Sequence, residues 1–473
     1  MSAKIHSVDL YNILKDEIMK KVSVDMTEGP IFGKIVAFTV PVVLAGVLQL
    51  LYNAADMVVV GRFAPEGSLG AVSATVPLIN LIINVLIGLS VGTCVIVARY
   101  YGERNERGIS RAAHTSISLS LIGGILVGVI GILLAGPLLN LMKTPPEVLG
   151  RSVAYMRIYF CGMPFNALFN YGSAIMRAGG DTKRPMYYLA SAGVANVLLN
   201  LLFVIQFEMG VAGVALATII SQAISAFLVF FRLCRSSGPD RIDPRELRVH
   251  KGEFLHIMRV GLPAGIQGSV FSISNVLIQS SINSFGPVVM DGNAAASNLD
   301  SFVYTAMNGV SQATLAFVSQ NYGAAKFKRI FRVVWQTVAI TAVLGLCMGI
   351  IFNLLGDKLL WLYNDDPTVI GYGQVRLLYV CLPYLLCGIM DVFSGAMRGI
   401  GKSSTAMVIS LLGACAFRIV WIYTVFRQFG TLESLYISYP VSWALTSLTF
   451  FVFFTVSLKK QKHRAMAIMS HME

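Results

Sequence analysis

Charge is what this chain lacks. Of its 473 residues only 13% are Asp, Glu, Lys or Arg, and 55% are hydrophobic. A soluble domain carries about 25% charged residues, so this composition excludes an ordinary globular class and points to a polytopic membrane protein. Machinery is missing as well. There is no GxxxxGK[ST] phosphate loop and no HExxH pair, which removes ATP-driven and zinc-protease chemistries. The six histidines lie at or beyond the ends of the apolar runs. The seven cysteines, Cys94, Cys161, Cys234, Cys347, Cys381, Cys387 and Cys415, show no metal-type spacing and imply no disulfide framework. The first 30 residues mix acids with lysines and lack a compact apolar core, so they do not read as a signal peptide. An enzyme is not expected.

Twelve apolar runs of helix length are present, at about 32–60, 69–98, 112–140, 152–176, 185–207, 210–231, 254–285, 293–320, 330–355, 373–397, 404–426 and 435–457. The net charge of +13 does not form a nucleic-acid footprint, because the basic residues fall in alternate loops between these runs. Those loops and the two chain ends hold about 29 of the 37 Lys and Arg residues. The intervening loops (Glu66, Glu147, Glu208, Asp291, Asp357, Asp365, Asp366) are short and acidic. The bias predicts a multi-pass protein of the cell (inner) membrane with both termini cytoplasmic.

The chain divides at Arg235–Glu253, a polar stretch containing Gly238-Pro239 and Asp243-Pro244 that reads as a solvated connector. The halves on either side resemble each other. Phe32-GKIVAFTVPVVLAG aligns with Phe254-LHIMRVGLPAGIQG, Tyr101-Gly102 with Tyr322-Gly323, and Met176-RAGGDT with Met397-RGIGKS. The sequence therefore predicts an all-α integral membrane fold, with twelve transmembrane helices in two six-helix lobes related by a pseudo-twofold along the membrane normal. The expected parts are an N-terminal segment (1–30), an N-lobe (31–234), a linker (235–253), a C-lobe (254–458) and a tail (459–473).

Within the first run, from Ile35 to Val60, Asp56 is the sole charge, and Gln49, Tyr52 and Asn53 share its helix face. A carboxylate in hydrocarbon costs at least ~2.5–3.5 kcal/mol and marks function by default. Counting turns puts Asp56 roughly 9 Å below the outer surface, and Asn200 and Thr218 at roughly 12 Å, with Asn196 one turn from Asn200. One carboxylate, two amides and a hydroxyl at similar depth suit a hard monovalent cation or a proton. The second half lacks the acid, since Ile278 and Gln279 face Asp56 in the alignment. Asp391 in the tenth run reads equally as a functional acid, neutralising cationic cargo or carrying a second coupling step, or as a packing partner of a neighbouring helix. Asn80, Asn84, Asn275 and Gln279 are further candidates for a cleft between the halves, with Gln49, Tyr52 and Asn53. Asp300 is expected near a wet outer rim, and Arg418 is expected to snorkel.

Taken together, PVVLAG with its later Asp56, MRAGGDTKRP against MRGIGKSS, and Asn196…Asn200 followed by GVAGVALAT resemble the MATE (multidrug and toxic compound extrusion) transporters over about residues 30–458. The resemblance implies a V-shaped cleft and export of small organic, often cationic, compounds in exchange for Na⁺ or H⁺, with no other cofactor and a functional monomer in the bilayer. It also implies a coupling site at Asp56, Asn196, Asn200 and Thr218. One branch of that family often has Asp where Asn200 stands, which leaves Na⁺ against H⁺ open. A flippase for lipid-linked or oligosaccharide cargo is the alternative within transport. A membrane-embedded receptor or enzyme is the alternative outside it.

Overall fold

The computed structural model describes residues 25–470 apart from Glu66, with side chains described to residue 463. Residues 1–24 of the expected N-terminal segment, Glu66 of the acidic outer loops and residues 471–473 of the tail lie outside the described residues.

Every span is helical because a backbone without water must satisfy its own hydrogen bonds. The N-lobe comprises α1 (Ile31–Phe63), α2 (Ser68–Gly102), α3 (Glu106–Leu141), α4 (Pro146–Cys161 continued by Met163–Ala178), α5 (Lys183–Gln206) and α6 (Gly210–Cys234). The C-lobe comprises α7 (Lys251–Asn283), α8 (Pro287–Gly323), α9 (Phe327–Leu354), α10 (Pro367–Gly399), α11 (Ser403–Phe429) and α12 (Leu432–His463). Ten of these are long and apolar enough to cross a bilayer by themselves. The other two are α4, broken at Gly162, and α8, which is long but more polar.

The breaks follow the repeat. Pro164 opens the second half of α4, and Pro383 follows a π-helical turn (Leu377–Cys381) in α10. Pro41, Pro77, Pro137 and Pro263 lie inside helices, where each removes a hydrogen bond and permits a kink.

The lobes join along one end of the molecule. On the α2–α7 seam, a Cβ on Gly88 would strike the backbone of Gly265, and one on Gly92 the carbonyl of Ile257. Only glycine lets the two backbones approach this closely. The Tyr-Gly ends of α2 and α8 meet in the same way: Gly102 lies against the Gln320 carbonyl and Gly323 against that of Arg99. The Arg99 guanidinium stacks 4.7 Å over the Tyr322 ring. Beyond Leu81 and Ser269, joined by a 3.1 Å hydrogen bond, Gln49, Asn53, Asn80, Asn275 and Gln279 are exposed, so the lobes part toward the opposite end.

Two segments are more firmly docked than their composition suggests. The connector between lobes buries Ile242 (1% exposed). Its Asp243 amide donates to His114 Nε2 on α3 (3.1 Å), while the other ring nitrogen meets the Ser110 carbonyl at 2.8 Å. The connector is anchored at these points, while most of its residues remain exposed. Ahead of α1, residues 26–29 run across to the C-lobe. There the Arg329 guanidinium donates to the carbonyls of Met26, Glu28 and Gly29 at 3.2, 2.8 and 2.9 Å.

Candidate functional site

The first-lobe acid sits where α1 meets α5. That contact is close because α5 carries glycine at 193: a Cβ there would fall inside the Tyr52 ring. The Tyr52 hydroxyl donates to the Ala190 carbonyl at 3.2 Å, which fixes the rotation of α1 about its axis. One turn further along α1, Asp56 therefore points at α5 rather than at lipid.

Asn200 Nδ2 donates to Asp56 Oδ1 and also lies 3.2 Å from Asn196 Oδ1. Asn196 is 4% exposed and Asn200 fully buried, while Asp56 is half-buried. Asn200 Oδ1 is buried without a hydrogen-bond partner. An orphaned buried acceptor is costly, and here it lies on the residue that touches the carboxylate. Tyr155 and Tyr159 of α4 also lie within electrostatic reach of Asp56. Counting depth along runs gave no signal for them.

Thr218 does not join this chain of bonds. Its hydroxyl donates to the Val214 carbonyl of its own helix at 2.9 Å, the usual refuge of a helical threonine, which leaves the oxygen's lone pairs free. Among the described residues no group of three or more His, Cys, Asp or Glu side chains is placed to hold a metal ion. The oxygen-only set around Asp56 suits a hard monovalent cation or a proton, not a transition metal.

Of the other candidates, Asn84 spans the α2–α7 seam, donating to the Gly268 carbonyl (3.3 Å) and Ser272 Oγ (3.0 Å). Gln279 is tied to Asn283 at 2.8 Å and to Asn293 at 3.2 Å. Gln49, Asn53, Asn80 and Asn275 are exposed. Asp391 is half-buried on α10, within electrostatic reach of Tyr304 and Arg398, and its backbone carbonyl accepts from Ser311 at 2.8 Å.

Two expectations are corrected. Asp300 meets no wet rim. It is 3% exposed and paired at 2.9 Å with Arg376, whose guanidinium also donates to Asn293 Oδ1 at 2.7 Å. Tyr436 donates to that same oxygen at 3.0 Å. Arg418 does not snorkel. It is 3% exposed, donates to Ser442 Oγ at 2.9 Å, and lies over the rings of Tyr439 (4.3 Å) and Trp443 (5.4 Å). The aromatic faces supply negative potential that lipid would not.

The MatE family model matches the chain twice, over residues 41–202 and again over 263–424. "Probable multidrug resistance protein YpnP" of Bacillus subtilis is 28% identical over 83% of this chain and 88% of that protein. "Multidrug export protein MepA" of Staphylococcus saprophyticus is 23% identical over 81% and 84%. An outward-facing multidrug resistance MATE family transporter of the MOP superfamily superposes with a TM-score of 0.87 at 22% identity, covering 93% of this chain and 99% of that one. A MOP superfamily transporter from Pyrococcus furiosus gives 0.86 at 22% identity, over 92% and 97%. At such identity the structural likeness is one of fold.

Proposed function

The chain belongs to the MATE family of membrane transporters, and from that premise we propose that it is a secondary active multidrug exporter, moving organic and often cationic compounds outward in exchange for Na⁺ or H⁺. The substrate class follows the relatives that carry the names multidrug resistance and multidrug export proteins. One observation carries the coupling step: a lone half-buried carboxylate, Asp56, held by Asn200 beside that residue's unpartnered buried oxygen.

In this reading both termini and the joined end of the lobes are cytoplasmic, and the parted end faces outside. The N-lobe (31–234) and C-lobe (254–458) rock as units about the glycine seam, with the linker (235–253) docked beneath, and one chain suffices for transport. External Na⁺ or H⁺ reaches Asp56, neutralises it and takes up the orphaned Asn200 oxygen, with Asn196 and Thr218 near by. The ion binds one arrangement of α1, α5 and α6 better than the other, and so shifts the population. Substrate in the cleft favours the opposite arrangement. Each ligand therefore weakens the other, the reciprocity that antiport needs.

The test is reconstitution of the full chain in proteoliposomes with a cationic dye, imposing Na⁺ and pH gradients separately. Dye movement driven by one gradient, or by each, supports the reading. Dye movement indifferent to both overturns it.

A further inference from the structure

The two inter-lobe seams should be equivalent under the repeat, and they are not. On the α2–α7 seam glycine packs on glycine. On the α1–α8 side a groove of about 490 Å³ is left between α1, α8 and α9, lined by Val36, Val40, Leu44, Ile340, Leu344 and Met348 among other apolar side chains, with Thr39 the polar exception. From Val36 to Val47 on α1 is about 16 Å of helix, one leaflet of a ~30 Å hydrocarbon core.

At the joined end of the same seam lies a second cavity, of about 730 Å³, between residues 27–29, the α8–α9 turn and the end of α12. Its walls carry Lys326, Lys328, Arg329, Arg332 and Lys462. Two of these are engaged: Arg329 by the carbonyls of Met26, Glu28 and Gly29, and Lys326 by the Thr27 carbonyl at 3.0 Å. The one acid in the wall, Glu28, is shared between Lys326 (3.7 Å) and Arg104 (3.6 Å). Lys328, Arg332 and Lys462 are exposed, and no hydrogen bond or ion pair engages their side chains among the described residues. Three unpaired cations crowd a concave rim, and Val36 lies about 8 Å along α1 from its first residue.

A basic pocket followed, further along α1 and α9, by an apolar groove has the polarity of a single phospholipid. We propose that this seam binds one anionic phospholipid, its phosphate held by Lys328, Arg332 and Lys462 and an acyl chain laid in the groove between α1, α8 and α9. The lipid touches both lobes and the segment that straps them, and so favours the state in which this end is joined. Which leaflet supplies it rests on the orientation proposed above; the binding itself does not.

Native mass spectrometry of the delipidated full chain, titrated with phosphatidylglycerol or phosphatidylcholine, tests this without any transport assay, so its failure and that of the efflux reading are separable. One phosphatidylglycerol per chain is expected to be retained in preference to phosphatidylcholine. Each removed cation should weaken retention about fivefold and Lys328→Ala/Arg332→Ala/Lys462→Ala together about a hundredfold. Val40→Trp, which fills the groove, should weaken it too, while Arg241→Ala/Arg245→Ala on the exposed linker should not. Equal retention of the two lipids, or a triple variant that holds phosphatidylglycerol as the parent does, would overturn the proposal. So would displacement of the lipid by inorganic phosphate at equal concentration, since that marks a soluble-anion site.

Discussion

The family model matches each lobe once, over 41–202 and 263–424, so the two can be compared span by span. Asp56 falls on Ile278 in the alignment of Phe32 with Phe254, and α5, which carries Asn196, corresponds to α11, which carries Arg418. In the first lobe these places hold an acid and an amide joined through Asn200. In the second they hold a buried isoleucine and an arginine sealed against Tyr439 and Trp443. A cation has nothing to bind there and a fixed positive charge to repel it. The second lobe does carry a buried acid, Asp300, but Arg376 already neutralises it. One scaffold was thus copied twice: at these places the first copy keeps an acid without a cation, while the second seals an arginine against rings and pairs Asp300 with Arg376. An acid left open can exchange ions; a paired one holds helices together.

The largest expected effect breaks the second-lobe pair. Asp300→Asn or Arg376→Met leaves one buried charge without its partner and should cost about 3–5 kcal/mol, whereas Asp300→Leu/Arg376→Met together should recover most of it. Chemical denaturation in detergent reads this, and a single variant as stable as the parent would mean that the pair is not what joins α8 to α10. Next comes Asn200→Ala. It removes a hydrogen bond to a carboxylate and the oxygen proposed to meet the ion, so the apparent affinity for the coupling ion should fall by roughly 10- to 100-fold with little change in folding. An unchanged ion dependence would place the site elsewhere. Gly193→Ala pushes a methyl into the Tyr52 ring and should cost about 1–3 kcal/mol, lowering both stability and coupling because Tyr52 sets how α1 faces α5. The smallest effect should be that of Asp391→Asn, whose carboxylate makes no hydrogen bond among the described residues. Gradient-driven efflux should persist there, with altered preference among cationic compounds. Loss of all coupling in that variant would move the exchange site into the second lobe.

Much of this was legible in the sequence, for reasons that also explain what was not. Hydropathy and prolines recur with the helix and with the repeat, so twelve spans, their pairing, and the breaks near Pro164 and Pro383 can be read directly. Depth counts along α1 and α5 bring Asp56, Asn196 and Asn200 to one level, and the structure brings them into contact. Depth does not reveal rotation. Arg418 is long enough to reach the interface, and nothing local says that it turns instead toward two rings on α12. Asp300 and Arg376 stand 76 residues apart on different spans, and Arg376 lies so near the start of its apolar run that it reads as an edge residue. The strap at 26–29 is held by its backbone carbonyls, which every sequence possesses. Thr218 lies at the right depth, yet its hydroxyl turns back on its own helix.

The account stands on Asp56 as the exchanging group, and one variant addresses it directly. Asp56→Asn keeps the shape and a polar contact to Asn200 while removing the charge. In proteoliposomes carrying an imposed Na⁺ or proton gradient, that variant should fold, insert and bind dye, yet show no dye movement above the level of protein-free vesicles. Efflux at the parental rate under the same gradient would contradict the account.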